Sequence, residues 1–249
     1  MSEKALKAIT KARSALIFEH PFFACLVMQL KPVERPDIET MATDGTHLFF
    51  NSDFVLNELD KDELIGVIVH EAYHCARKHH VRMGHRKLDR WNEACDYVVN
   101  SDLIKQKFKL PKWVLNDPAY DGLSPEEIYN RLPDKSGQPK PKQGQGQQGR
   151  QGGKGTPSGA QGDKGQGNGK CAMHAPDPGR MGGIVAPAPA YDKDKLEAEA
   201  ARWDTITKMA IGAAKAQNAG NIPGDLERLV KDLGRPAIDW QSAFQRFEP

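Results

Sequence analysis

Three side chains in residues 69–80, VHEAYHCARKHH, have the types and spacing to hold a metal ion and to use it. His70 and His74 are four residues apart, so on a helix they share one face and can grip one cation together. Glu71 projects beside that pair. A zinc ion held there lowers the pKa of water toward ~7 and polarises a carbonyl, and a carboxylate alongside can take the proton as the water attacks. The chemistry offered by H-E-x-x-H is therefore hydrolysis, with Zn2+ as the expected cofactor and Glu71 as the expected catalytic base.

A catalytic zinc also needs a third protein ligand and an open fourth position. His80 lies ten residues after His70, the offset of the last histidine in H-E-x-x-H-x-x-G-x-x-H, but Arg77 stands where that arrangement has its helix-breaking glycine. On an unbroken helix His80 would lie about 9 Å beyond His74. His79, His80 and His85 are therefore expected to be exposed, solvated or in contact with a partner. Glu93 and Asp96 stand in RWNEACDYVVN, which a second helix can bring alongside the first. Glu93 follows an asparagine, similar to the Asn-Glu ligand pair of thermolysin-like gluzincins. Asn92, Asp96 and Asn100 share a face at i, i+4 and i+8, beside an apolar face of Trp91, Cys95 and Val99. A buried polar row of that kind needs partners. A metal would supply one for Asp96, and Asn92 and Asn100 could support the ligands from behind. On the residues alone Asp96 and Glu93 both remain open. Tyr73, His85, Arg90 and Tyr97 are candidates to stabilise an oxyanion, but packing or surface charge is the favoured role for each.

Elements must exist to position these groups. Ala5, Ile9, Ala12, Leu16 and Ile17 predict an amphipathic helix over 3–18. PFFACLVMQLKPV is apolar and reads equally as buried helix or strand. Asp44-Gly45 is a turn pair, and Thr46–Asn51 has strand composition. Asp60 or Asp62 can cap the helix that carries the motif, with Leu64, Ile65, Val67, Ile68 and Val69 as its apolar body and its end before Gly84. Asp89 can cap a helix over roughly 90–106 that turns Trp91, Cys95, Val98, Val99 and Leu103 toward a core. LSPEEIYNRL reads as a short helix with Ser124 at the N-cap, Pro125 at N1 and Glu127 at N3.

The composition then changes. Only 39% of the 249 residues are hydrophobic and the mean hydropathy is −0.63, low for a fully folded chain. Residues 134–190 are rich in Gly, Gln and Lys and poor in large apolar side chains, so a disordered linker is expected there. It concentrates positive charge: net charge is only +2 overall, so the remainder is slightly acidic and nucleic acid is not favoured as a partner. Residues 191–249 turn helical again, with Leu196, Ala200, Trp203, Thr207, Ala210 and Ala214 in one stripe that must dock on the N-terminal part. GDLERLVKDL and IDWQSAFQRF predict two further short helices. Cys25, Cys75, Cys95 and Cys171 form no C-x-x-C pair, the N-terminus lacks a signal-peptide pattern, and no run is long enough to span a membrane. A cytoplasmic protein is the expectation.

Several blocks, in order, carry a resemblance: PFFACLVMQLKPV, ATDGTHLFFN, GVIVHEAYHCARKHHVR, RWNEACDYVVNSDL, LPKWVLNDPAYDGLSPEEIYNRL and GDLERLVKDLGRPAIDWQSAFQRF. They resemble the zincin-type metallopeptidase domain of bacterial and phage proteins that often carry a C-terminal von Willebrand factor A-like domain. The resemblance covers residues 1–133 and about 191–249. In that family the helix after the motif reads roughly W-N-x-A-x-D-x-x-x-N, matched by Trp91, Asn92, Ala94, Asp96 and Asn100, while Glu93 falls at a variable position. The resemblance thus implies Asp96 as third ligand over Glu93. The A-like domain would begin about where this sequence ends, at Pro249, so nothing that rests on it is carried over.

The expected architecture is α+β: a zincin-like metallopeptidase domain over 1–133 with a small sheet and an active-site helix, a linker over 134–190, and a helical tail over 191–249 packed back on the first domain. The expected function is a zinc-dependent peptidase, with Leu48, Phe49, Phe50 and Asn51 as an edge strand that pairs with an extended peptide. Expected partners are a peptide or protein substrate and an ATPase or A-like protein, with no membrane. The rival reading is a non-catalytic, metal-stabilised adaptor, against which the intact Glu71 speaks.

Overall fold

A computed structural model describes residues 2–133, 184, 193–216 and 222–224. The expected linker lies outside the described residues except for Ile184. So do the two short helices expected after residue 223, except for Gly224. All described residues but Pro133 belong to one unit, Met1–Leu132 with Met173–Pro249.

Helix α1 (Glu3–Glu19) forms where its apolar spacing predicts it. Ser2 caps it, and Ala5, Ile9, Ala12 and Leu16 are buried along one face. The ambiguous run that follows resolves into two elements. Pro21 opens α2 (Pro21–Val27), whose Phe22, Phe23, Ala24, Leu26 and Val27 all enter the core. The chain then extends as β1 (Lys31–Glu34).

Strands β2 (Met41–Thr43) and β3 (His47–Phe50) complete a three-stranded sheet in the order β1-β3-β2. β1 runs parallel to β3, and β2 runs antiparallel to it with Met41 opposite Phe50 and Thr43 opposite Leu48. This corrects the expectation for Leu48–Asn51. β3 is the central strand, paired on both sides, with Leu48 and Phe50 buried, and the Asn51 amide donates to the Thr40 carbonyl at 2.9 Å. The flanking strands escape a sequence reading because one contains Pro32 and the other has three residues, too short to show alternation. On its other side β2 meets Ile184, fully buried, in a parallel bridge at Thr43.

Helix α3 (Lys61–Ala76) carries the motif and starts at a capping box in which Asp60 and Glu63 satisfy each other's backbone donors. From Leu64 onward every residue but Ile65 is buried, against α1, α2 and β2 among others. Helix α4 (His79–Arg82) is a single turn. Helix α5 (Leu88–Lys105) packs on α3 and turns Trp91, Cys95, Val98, Val99 and Leu103 inward, as its pattern predicts. Its N-cap is Lys87, not Asp89. The aspartate sits in the first turn, where the helix dipole favours its charge. Helix α6 (Pro125–Arg131) begins on the expected Ser124–Glu127 capping box and packs on α5.

Helix α7 (Lys193–Ala216) lies on α2, α3 and α4 through Trp203, Ile206, Thr207, Ala210, Ile211 and Ala214. Trp203 anchors it: its indole N–H donates to the Gly45 carbonyl at 3.1 Å. Gly45 has φ +93°, and a Cβ there would meet His80 at 2.7 Å, so the turn needs glycine for both conformation and space. Among the described residues no helix is long and apolar enough to cross a membrane.

Gly66 lets the motif helix sit against the chain at residue 109. A Cβ at Gly66 would lie 2.2 Å from the Lys109 carbonyl oxygen. Gly66→Ala should therefore destabilise the metal-free protein by about 1–3 kcal/mol, although alanine favours an isolated helix by about 1 kcal/mol. Chemical denaturation measures this, and an unchanged or raised midpoint would show that the Lys109 backbone yields freely.

Candidate metal centre

Helix α3 places the imidazoles of His70 and His74 one turn apart, with their Nε2 atoms 2.8 Å from each other. Asp96, from the middle of α5, brings its Oδ1 to 3.5 Å from His70 Nε2 and 3.2 Å from His74 Nε2. All three side chains have no solvent exposure. Glu71 is also fully buried, one position on from His70. The two imidazoles stand around the Asp96 carboxylate, and among the described residues its buried oxygens have no well-formed hydrogen-bond partner.

That geometry fits a divalent cation. Two nitrogen lone pairs and a carboxylate oxygen converge in a dry interior, a donor set suited to a small first-row metal. Asp96 is fully buried there, and Glu71 is fully buried on the helix that carries the two histidines. Burying such charge is costly unless something compensates it, and a cation does. Glu93, although largely buried, is not among the described donor groups that meet His70 and His74.

A second group of three donors overlaps the first: His74, His79 and Cys95. It exists because α3 ends earlier than its histidines suggest. Lys78 adopts the left-handed conformation, φ 57° and ψ 34°, and reverses the chain. His79 then comes back against His74, with Nδ1 to Nδ1 at 3.1 Å and the rings edge-on at 5.0 Å. The expectation that His79 and His80 are exposed is thereby corrected. Both are buried, and only His85 is exposed. The expectation assumed that the helix runs on, and no glycine marks the break. His80 faces Glu199 of α7, 3.8 Å away, and does not join the donors.

The other expected residues serve elsewhere. Asn92 donates to the Ile184 carbonyl at 3.3 Å and Asn100 to the Leu115 carbonyl at 2.9 Å. Neither supports Asp96 directly, because each stands a full turn away along α5 and reaches a neighbouring backbone instead. Tyr73 meets Arg77 and Asp102 through its hydroxyl. The Arg90 guanidinium lies over the Tyr129 ring, and Tyr97 packs on Tyr120. Among the described residues there is no disulfide: Cys25, Cys75 and Cys95 are free thiols. Cys75 meets Thr43 Oγ1 at 3.2 Å, tying α3 to β2.

Burial sets the protonation of the cluster. It pushes His74 down to about 4, with His70 adding to the effect. It holds His79 well below the imidazole range and raises the Cys95 thiol well above its usual value. For Asp96 burial works toward protonation, but the two imidazoles outweigh it and hold the carboxyl below its ordinary value. Near neutral pH the cluster therefore presents His74 and His79 as neutral imidazoles near the Asp96 carboxylate, and metal binding requires a ligand imidazole to be neutral.

The family model described as "Putative metallopeptidase domain" matches residues 4–247. The chain belongs to that family. No curated protein and no solved structure matches the chain.

The pH dependence of the metal-free protein follows from these shifts. His74 sits at about 4 when folded and 6.5 as a free imidazole, so as pH falls the unfolded chain takes up the extra proton first. The stability from keeping His74 neutral is present above its free value and is lost as pH falls toward its folded value, by at most ~3 kcal/mol. His79 acts in the same direction. Thermal melting of EDTA-treated protein should show a marked drop in Tm between about pH 7 and about pH 4.5. A flat profile would contradict the burial of these imidazoles.

Proposed function

We propose that this member of the metallopeptidase family is a zinc-dependent peptidase of the zincin type. Zinc would be held by His70, His74 and Asp96, with Glu71 as general base and then general acid. The observation that carries the reading is the convergence of His70 Nε2, His74 Nε2 and Asp96 Oδ1, with the buried Glu71 on the next position of the same helix.

Zinc in this donor set supplies Lewis acidity, polarising a carbonyl and making water more acidic. The protein's part is to hold its lone pairs ready and to move one proton. Burial keeps His74 neutral, and Asp96 contributes the negative charge. Glu71 takes a proton from the attacking water as its oxygen bonds to the peptide carbon. The same proton passes to the amide nitrogen as the C–N bond breaks, leaving a carboxylic acid and an amine.

None of these side chains is exposed, so a peptide reaches them only after a covering element moves. An ATPase or A-like partner would act at that step. Complete burial also favours the rival reading, a structural metal in an adaptor domain. Glu71 separates the two, since a structural site needs no second carboxylate outside its ligand set.

Purified protein should carry about one zinc per chain, and His70→Ala or His74→Ala should abolish it, because two protein ligands hold zinc poorly. Asp96→Ala should weaken zinc binding far more than Glu93→Ala in a chelator competition. The reverse order would transfer the third-ligand role to Glu93.

Glu71→Gln keeps the size and removes the proton acceptor. Zinc content should be unchanged, and hydrolysis of a substrate found by proteome-wide cleavage screening should fall by at least ~100-fold. Full activity in this variant would refute the mechanism. Loss of zinc would make Glu71 structural and favour the adaptor.

A further inference from the structure

His79 is not a ligand in the proposed site, yet it lies within hydrogen-bond distance of one, His74. We infer that His79 is a positioning residue for the metal centre, fixing the His74 ring so that its Nε2 lone pair faces the ion. The inference rests on the proposed site of His70, His74 and Asp96.

An imidazole that binds a metal through Nε2 carries its proton on Nδ1, and that N–H needs an acceptor if it is buried. His74 is fully buried, and the atom 3.1 Å from its Nδ1 is His79 Nδ1. The bond can form in the metal-competent sense: His74 Nδ1–H donates and His79 Nδ1 accepts, which puts the His79 proton on Nε2, an atom that is buried without a partner among the described residues. The contrast with His70 is informative. Its Nδ1 is buried with no hydrogen-bond partner among the described residues. Among the described residues, one ligand is thus held from behind and the other is not.

His79 is itself held for this task. The left-handed Lys78 turns the chain back at the end of α3. The indole N–H of Trp91 then donates to the His79 carbonyl at 3.0 Å, and the Trp91 and His79 rings pack edge-on at 6.2 Å. Trp91 lies on α5, which also supplies Asp96. A single helix therefore delivers the third ligand on one side of His74 and fixes the supporting histidine on the other. A non-glycine residue in the left-handed region costs roughly 1–2 kcal/mol, strain of a kind that persists where surrounding contacts enforce it.

His79 has a competing role as a ligand. With His74 and Cys95 it forms the second donor group, whose atoms lie within 4.8 Å of one another. A metal in that group would draw on His74 Nδ1 rather than Nε2, and Cys95 would bind as thiolate. The two roles predict different spectra.

The test uses the full chain, stripped and reloaded with zinc or cobalt(II), and reads affinity by chelator competition. Three variants separate the acceptor from the packing. His79→Phe keeps the ring and deletes the acceptor. His79→Asn places a carbonyl oxygen near the Nδ1 position. His79→Gln places one near Nε2 instead, and covers the case in which phenylalanine is not tolerated. His79→Phe and His79→Gln should bind zinc about 10–100-fold more weakly than wild type, while His79→Asn should recover most of the loss. The cobalt form of the wild type should lack a thiolate charge-transfer band and be unaltered by Cys95→Ser. Equal affinity in wild type and all three variants overturns the inference and leaves the site standing. A thiolate band lost in Cys95→Ser also overturns it, making His79 a ligand. A wild type that binds neither zinc nor cobalt overturns the site, and the inference with it.

Discussion

The structure depends on keeping a charged, hydrogen-bonding cluster in an interior that water does not reach. His70, His74, His79, Glu71 and Asp96 are buried between α3, α4 and α5. Isolated carboxylates in such a place cost several kcal/mol each. His70, His74, Asp96 and His79 face one another there, and a cation would offset the carboxylate charge. This explains why α3 is buried on nearly every side: α1, α2, β2, α5 and α7 all pack against it. A helix that buries two histidines and a glutamate needs apolar support, and Val67, Ile68, Val69, Ala72 and Tyr73 provide it.

Much of this frame was legible in the sequence. The apolar spacing of α1, the capping boxes at Asp60 and Ser124, and the inward face of α5 all use strong local rules, and the structure follows them. The meeting of Asp96 with the motif was legible only through the family pattern, since spacing alone left Glu93 equal to it. What stayed hidden was decided by contacts distant in sequence. Lys78 turns left-handed without a glycine to announce it, so His79 looked like a solvated neighbour of His80. β3 looked like an edge because its partners are one strand broken by proline and one of three residues. Trp91 was read correctly as core, but its bond to the His79 carbonyl is tertiary and has no local signal.

The tail shows how a segment remote in sequence becomes part of the frame. Trp203 and Arg202 of α7 both donate to the Gly45 carbonyl, at 3.1 and 3.0 Å. Gly45 follows Asp44, whose Oδ1 accepts from the Thr46 and His47 amides and closes the turn between β2 and β3. Glu199, next to His80, also accepts from Trp203 and Arg202. One turn therefore links the sheet, the end of the motif helix and α7. A glycine is required where all three meet, which ties the turn pair visible in the sequence to the packing of the tail.

Total burial makes opposite demands on a metal centre and on a hydrolase. Low dielectric would strengthen the attraction between Asp96 and a cation, and burial keeps His74 neutral and ready to bind one. The same cover keeps a peptide bond away from Glu71. A purely structural site would accept that exclusion and would gain from replacing Glu71 with an apolar residue of similar volume, because a second buried carboxylate outside the ligand set weakens the fold. Retaining it makes physical sense where a proton must be moved within the dry site, and a hydrolase of this form works only if the cover opens for substrate. In the proposed peptidase the stability of the elements packed over α3, α7 and the β2 edge at Ile184 among them, therefore sets how often the chemistry can occur, while the geometry of His70, His74, Asp96 and Glu71 sets how fast it runs once exposed.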